Sequence, residues 1–162
     1  MLEKTARIIR NTPGIIYGFT WISIALIHFL ILYSVYDFGS MPALADSLVF
    51  NGLFAFIGTG LWFMVRYSDL KSKGPGEIII YHVTGTTLTV AAWISLGSFI
   101  LNSLFRSNEA YTNFLNDSLF VRIISGVLYY ALITAVYYLI INFRELQQKT
   151  EHELRLASLL KE

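Results

Sequence analysis

Four runs of mostly apolar residues constrain the fold of this chain more than any other feature of its sequence. The runs cover residues 14–36, 45–65, 78–101 and 118–143. A helix needs about 20 apolar residues to cross about 30 Å of hydrocarbon, and each run is long enough. The sequence therefore predicts an all-α integral membrane protein, folded as an antiparallel four-helix bundle.

The composition agrees with a membrane protein. Of the 162 residues, 55% are hydrophobic and only 14% are charged, whereas soluble domains average about a quarter charged. The net charge of +1 gives no basic surface of the nucleic-acid-binding kind. The chain has no cysteine, which excludes disulfides, cysteine-ligated zinc and thiol nucleophiles. No segment has the pattern of a cleaved signal peptide.

Proline positions suggest where the helices begin. Thr12 is suited to cap the first membrane helix and Pro13 to occupy its first position. Pro42 and Pro75 also lie outside the apolar runs, so we predict spans that proline does not kink.

Basic residues near the runs predict the orientation in the membrane, because they concentrate on the cytoplasmic side. The first connector has no basic residue and the third has only Arg106. The N-terminal arm, the second connector and the tail hold these: Lys4, Arg7, Arg10, Arg66, Lys71, Lys73, Arg144, Lys149, Arg155 and Lys161. We therefore expect both termini on the cytoplasmic side of the membrane.

The tail lacks helix breakers. Residues 127–162 contain no Gly or Pro, so the fourth span is predicted to continue as one helix from about residue 118 to the end, roughly 65 Å long. This divides the chain into a membrane domain (1–143) and a connecting helix (144–162). A heptad seam would consist of Phe143, Leu146, Thr150, Glu153, Ala157 and Leu160. Its polar middle predicts a weakly specified coiled coil; a solvated helix without a partner is the alternative.

Residues 114–162 resemble the corresponding segment of LytS-type bacterial sensor histidine kinases, especially the four-span kinases common in Bacteroidetes. The first three spans are compatible with that family but less diagnostic. The matching residues are Phe114, Leu115, Ser118, Leu119, Arg122, Gly126, Tyr130, Tyr137, Tyr138, Leu139, Arg144, Glu145 and Leu146.

The resemblance implies a function. In such kinases the exit helix leads into an Asn-Pro-His-Phe-Leu-Phe-Asn phosphoacceptor motif and an ATP-binding domain, and this sequence stops before both. His152 lacks the surroundings of that motif. The resemblance therefore implies the membrane input module of a kinase in the inner membrane of a bacterium, with no catalytic residue and no cofactor of its own. ATP would belong to the kinase core, and the expected partners are lipid, a second copy of the chain and a response regulator.

Polar residues inside the spans predict where a stimulus is read, because ionisable groups in a membrane are costly. At 1.5 Å per residue, each helix has one polar residue about 6–9 Å below its outer end. With the acids at two outer helix ends, which could pair with the arginine, the candidate sensing layer comprises His28, Asn51, Ser95, Arg122, Asp46 and Asp117. In the alternative, Arg122 extends to the outer interface and His28 makes one interhelical hydrogen bond.

His82 is expected to be structural. It lies roughly 15 Å in depth from His28, so the two cannot share a metal within one chain of this topology, and we predict no metal site. We expect His82 to bond Thr86 or a lipid headgroup.

Two other functions remain open. A small oligomeric transporter or channel needs polar residues through the whole bilayer, whereas the inner halves of three spans are almost wholly apolar. A structural membrane protein that docks a partner would have a similar tail. No arrangement of residues indicates an enzyme in this chain.

Overall fold

A computed structural model describes residues 2–68 and 74–159, the first twelve of them (2–13) by their backbone alone. Five helices make up the secondary structure of this part. They are α1 (Leu2–Ser34), α2 (Ser40–Tyr67), α3 (Pro75–Leu104), α4 (Glu109–Asp117) and α5 (Leu119–Leu159). The predicted all-α class is confirmed.

Four of these helices are long and apolar enough to cross a membrane. The candidate spans are Gly14–Ser34, Ser40–Tyr67, Pro75–Leu104 and Leu119–Leu159. Many large apolar side chains on them face outward, among them Phe19, Phe56 and Phe99, each more than 70% exposed. Such a surface needs a lipid or protein covering. The chain therefore has the character of a multi-pass membrane protein.

The contacts between residues divide the chain into two compact units. The first comprises Met1–Ile57 and Ala91–Ile123, and the second comprises Gly58–Val90 and Ile124–Glu162. Each unit is described separately below. The antiparallel bundle and the domain boundary after residue 143 remain predictions.

The prolines mark helix starts in two cases but not in the third. α3 begins at Pro75, and Pro42 lies in the first turn of α2, where a backbone N–H has no partner within the helix. The prediction that the first helix begins at Thr12 and Pro13 is wrong, because α1 begins at Leu2. The preceding residues are mostly Leu, Glu, Lys, Ala, Arg and Ile, whose helix propensity extends the helix beyond the proline.

The short helix α4 was not predicted. Asn108 caps its N-terminus, where the side chain accepts a hydrogen bond of 3.1 Å from the backbone N–H of Tyr111. Tyr111 and Leu115, one turn apart, are the buried residues of the helix. α4 contains too few apolar residues to be recognised beside the four spans. Only the capping residue and the i, i+4 spacing of its two buried residues indicate a helix here.

Aromatic side chains form the core of the first unit. The ring of Trp93 meets those of Phe50 and Phe54 edge to face, with centroids 5.3 and 5.0 Å away. Its indole N–H donates to the backbone oxygen of Phe50 at 2.7 Å. Trp21 stacks on Phe54 from α1. Helices α1, α2 and α3 are thus joined by ring contacts and one buried hydrogen bond.

Tyrosine hydroxyls tie α2 to its neighbours in the second unit. Tyr137 of α5 donates to the backbone oxygen of Gly58 at 3.0 Å, and its ring lies edge to face with Trp62. Tyr81 of α3 donates to the backbone oxygen of Met64 at 3.0 Å. Backbone oxygens of α2 thereby accept bonds from two other helices.

α5 is continuous from Leu119 to Leu159, 41 residues that span about 62 Å. The predicted continuity of the fourth span and the tail is confirmed as far as Leu159. Phe143 and Leu146, at the start of the predicted seam, are 61% and 62% exposed. Some residues of these predictions lie outside the described residues, namely Leu160, Lys71, Lys73 and Lys161.

Substitution of Gly97 by alanine should destabilise the first unit. A Cβ atom at Gly97 would lie 2.8 Å from Cδ1 of Phe50 and would overlap its ring. Overpacking of this kind costs about 1–3 kcal/mol. We expect Gly97→Ala to lower the thermal unfolding temperature of the purified protein in detergent, followed by tryptophan fluorescence.

Gly52→Ala is the matched control, because a Cβ atom at Gly52 would meet nothing within 4 Å. An exposed Gly→Ala change in a helix is neutral or stabilising by about 0.5–1 kcal/mol. Equal unfolding temperatures for the two variants would contradict the close packing of Gly97 against Phe50.

Candidate sensing site

A buried carboxylate lies at the centre of the polar residues in the first unit. Asp46, in the second turn of α2, is 0% exposed. Its two oxygens accept hydrogen bonds from the guanidinium of Arg122 on α5, at 2.7 Å from Nη2 and 3.2 Å from Nη1. A two-pronged contact of this kind is the strongest geometry for such a pair. The ion pair joins α2 to α5.

The guanidinium of Arg122 is held on its other sides as well. Its Nε donates to the hydroxyl of Ser118 at 2.9 Å, one turn earlier in the chain. Its central carbon lies 3.8 Å from the ring centroid of Phe50, well within the distance for a cation–π interaction. The side chain is only 7% exposed. The alternative interpretation expected Arg122 to extend to the outer membrane interface. The side chain is instead held among other residues of the first unit.

The tyrosine of α4 supplies a third hydrogen bond to the carboxylate. The hydroxyl of Tyr111 donates to Oδ2 of Asp46 at 2.7 Å, and the side chain is fully buried. Burial raises the pKa of Tyr111 far above its ordinary value of 10.0, and the nearby Asp46 carboxylate raises it further. Tyr111 therefore remains a neutral donor.

His28 of α1 completes the cluster, and its hydrogen bonds define its tautomer. The side-chain nitrogen of Asn51 lies 2.7 Å from the backbone oxygen of Ser47 and 3.0 Å from Nδ1 of His28. An amide nitrogen only donates, so Nδ1 accepts and a neutral His28 carries its proton on Nε2. That nitrogen lies 3.5 Å from Oδ1 of Asp46. The imidazole thus directs its N–H toward the ion pair.

The cluster is electrically balanced and mostly buried. Asp46 and Arg122 neutralise each other, and in the described part of the chain no buried side-chain nitrogen or oxygen lacks a hydrogen-bond partner. Asn51 is 3% exposed, whereas the side chain of His28 is 28% exposed. Of the residues that contact Asp46, His28 is therefore the most accessible from outside.

Four of the six residues of the predicted sensing layer come together, and two do not. The four are His28, Asp46, Asn51 and Arg122. Ser95 is exposed, because it lies two residues after the buried Trp93, about 200° around the helix. Asp117 ends α4 on its exposed side, and within the described residues it makes no ion pair with Arg122.

Three residues of the cluster were missed by the sequence analysis. Tyr111 and Ser118 lie in or beside the unpredicted helix α4, and the capping residue Asn108 is the signal that could have found them. Phe50 looked like any other apolar residue of the second span. Its position one residue before Asn51 gave no indication that it would face a guanidinium.

His82 belongs to a separate cluster in the second unit. The expected bond between His82 and Thr86 is present, but it goes to the backbone oxygen of His82, at 2.7 Å, and not to the ring. The two ring nitrogens instead lie 3.2 Å from the hydroxyl of Tyr130 and 3.3 Å from that of Tyr138. Both tyrosines belong to α5.

Metal binding has no support in the side chains that are described. Among them, no three His, Cys, Asp or Glu residues are grouped so that they could hold a metal ion. Comparisons of the chain with models of protein families, with curated proteins and with solved structures gave no match.

Replacement of Asp46 should leave the charge of Arg122 buried without its partner. We expect Asp46→Asn to lower the free energy of unfolding by about 3–5 kcal/mol. The double variant Asp46→Asn/Arg122→Gln should recover part of the loss, because it contains no buried charge. Denaturant unfolding of the protein in detergent measures both.

Asp117→Asn is the control for that experiment, since Asp117 is exposed. Its effect should remain within about 0.5 kcal/mol. If Asp46→Asn were no more destabilising than Asp117→Asn, the buried ion pair would not contribute to stability.

Replacement of Tyr111 by phenylalanine should cost about 1.5–3 kcal/mol, because a hydrogen bond to a charged group is lost. The difference from the wild-type protein should be constant below pH 10.0 and decrease above it. In that range the unfolded chain loses the Tyr111 proton while the folded protein retains it. Unfolding measured from pH 8 to pH 11 checks this.

Tyr67→Phe is the matched control, because Tyr67 is 75% exposed. We expect it to change the unfolding free energy by less than about 0.5 kcal/mol. Equal losses in the two variants would contradict the role of the Tyr111 hydroxyl.

Proposed function

We propose that this chain is the membrane input module of a bacterial two-component sensor histidine kinase. In this proposal the cluster around Asp46 receives a signal from the cell envelope, and α5 passes it to a cytoplasmic kinase core. The observation that carries the proposal is that a single helix contains both Arg122 and the exposed tail. The similarity of residues 114–162 to LytS-type kinases is the reason for proposing that the tail leads to a kinase core.

The continuity of α5 is suited to transmission. From Arg122 to Leu159 the helix extends about 55 Å, and residues 150–159 are all exposed. Because the helix has no break, a shift or rotation of α5 at the ion pair would be transmitted to the tail. A signalling helix also needs an element with two arrangements. The predicted seam is suited to that role because Thr150 and Glu153 weaken its register.

The proposal includes an orientation and an oligomeric state. Basic residues favour both termini in the cytoplasm and the Asp46 cluster toward the outer side of the inner membrane. An antiparallel four-helix bundle would bring the outer ends of the spans together. The kinase resemblance favours a parallel homodimer joined through the tail, with a response regulator as the downstream partner.

The coding sequence downstream of Glu162 gives the first test of the proposed function. A phosphoacceptor motif within the next few tens of codons, followed by an ATP-binding domain, would support it. A stop codon directly after Glu162 would overturn it and leave the transporter and the structural protein as the alternatives.

Insertion of one residue after Lys149 should disturb signalling strongly, because it rotates the distal helix by about 100°. We expect autophosphorylation of the full-length protein in membrane vesicles to change about fivefold or more, the lower end of typical coupling between sites. One residue inserted between Gly74 and Pro75, before α3, is the matched control and should have little effect. Equal effects would contradict transmission through α5.

The same assay tests the sensing site. His28→Gln and Arg122→Gln should each alter basal or stimulated autophosphorylation, because each changes the environment of Asp46. Unchanged activity in both variants would show that the cluster only stabilises the fold.

A further inference from the structure

We propose that the His82 cluster is a proton-binding site that controls how tightly α5 is held to α3. This inference goes beyond the proposed function and does not depend on a kinase core. It rests on which groups surround the imidazole and on which of them can accept a hydrogen bond.

Hydroxyl groups hold both ring nitrogens of His82. Nδ1 lies 3.2 Å from the hydroxyl of Tyr130, and Nε2 lies 3.3 Å from that of Tyr138. A neutral imidazole has one donor and one acceptor. In the neutral form, therefore, one tyrosine donates to the ring and the other accepts from it.

Protonation turns both ring nitrogens into donors, and this cluster can accommodate the change. A tyrosine hydroxyl can accept as well as donate, so both tyrosines can accept from the imidazolium. The displaced hydroxyl proton also has an acceptor: Ser68 Oγ lies 3.3 Å from the Tyr138 hydroxyl, and Met64 Sδ lies 3.9 Å from the Tyr130 hydroxyl. His82 therefore gains a proton without losing a hydrogen bond.

His28 shows the opposite arrangement in the same chain. Its acceptor nitrogen Nδ1 is bonded to the amide nitrogen of Asn51, which cannot accept. A proton on Nδ1 would have to break that bond. Breaking it would leave the nearly buried amide of Asn51 with only Ser47 as a partner. The Asp46 carboxylate, 3.5 Å from Nε2 of His28, would favour a protonated ring, but Arg122 neutralises that carboxylate. The two histidines thus differ in the hydrogen bonds that protonation would break.

The surroundings of His82 contain a space that only glycine provides. A Cβ atom at Gly85 would lie 2.7 Å from the Tyr130 hydroxyl and 3.3 Å from Met64.

The titratable groups in contact with the imidazole are Tyr130 and Tyr138 of α5 and the adjacent Tyr81 of α3. Within the described ranges, no charged side chain pairs with it.

Proton binding would strengthen the link between α3 and α5. Hydrogen bonds from an ionised donor are roughly twice as strong as neutral ones, and both bonds of His82 lead to α5. His82 is half-buried and lies two turns from the start of α3, so protons can reach it from that end of the helix. A fall in pH on that side would tighten the contact.

The order in which the histidines take up protons tests the proposal. Nitrogen NMR of histidine-labelled protein in lipid nanodiscs, from pH 8 to pH 5, reports the protonation of each ring. His28→Gln, His82→Gln and His152→Gln assign the signals. We expect His82 to become doubly protonated at a higher pH than His28, with its two hydrogen bonds retained.

Tyr130→Phe/Tyr138→Phe removes both acceptors while keeping the rings. In this variant His82 should no longer take up its proton before His28. The result that would overturn the proposal is protonation of His28 first, or an unchanged order in the double variant. The two proposals fail independently. If the protein had no kinase core, the order of protonation of His82 and His28 would still be expected. If that order were not observed, the proposed kinase function would not be contradicted.

Discussion

The first unit depends on one buried ion pair. The carboxylate of Asp46 is completely inaccessible, and burial of an unpaired charge would cost more than a small fold can supply. It is stable there because Arg122 of α5, Tyr111 of α4 and His28 of α1 all direct N–H or O–H groups toward it. These partners come from three helices, so formation of the complete cluster requires that α1, α2, α4 and α5 meet in the same place. The aromatic contacts of Trp93 add α3 to that unit.

The sequence allowed the depth of the polar residues to be predicted, but not the directions in which they point. Depth follows from counting residues along a helix, and His28, Asn51 and Arg122 do lie together around Asp46. Direction depends on how each helix is rotated, which the apolar spans leave undetermined because their residues are apolar on all sides. Ser95 was included for its depth and faces away. Tyr111 was missed because α4 is short. Only the N-cap of α4 and the i, i+4 spacing of its buried residues distinguish this segment from a loop.

The two intramembrane histidines show how far local chemistry can differ between residues of one type. In the sequence, His28 and His82 differ only in their expected depth in the membrane. The structure adds the identity of their partners: an amide that can only donate for His28, and two hydroxyls that can also accept for His82. That distinction decides which ring can gain a proton cheaply. It requires atomic positions, because the same residue types at the same depths could be paired in other ways.

The balance of charge at Asp46 and Arg122 also determines which physical stimuli can act on the cluster. A membrane potential does work on a net charge that moves across the bilayer, about 2.3 kcal/mol per elementary charge for 100 mV. The ion pair has no net charge, and the tautomer of His28 is neutral. If the pair is displaced as a unit without turning, the electric field does no net work on it. Voltage can act only by separating or reorienting the two charges, and the bonds from Tyr111 and Ser118 resist both. If the proposed sensing role holds, such a site would respond to chemistry at its edge or to displacement of its helices, and it would be insulated from changes in membrane voltage.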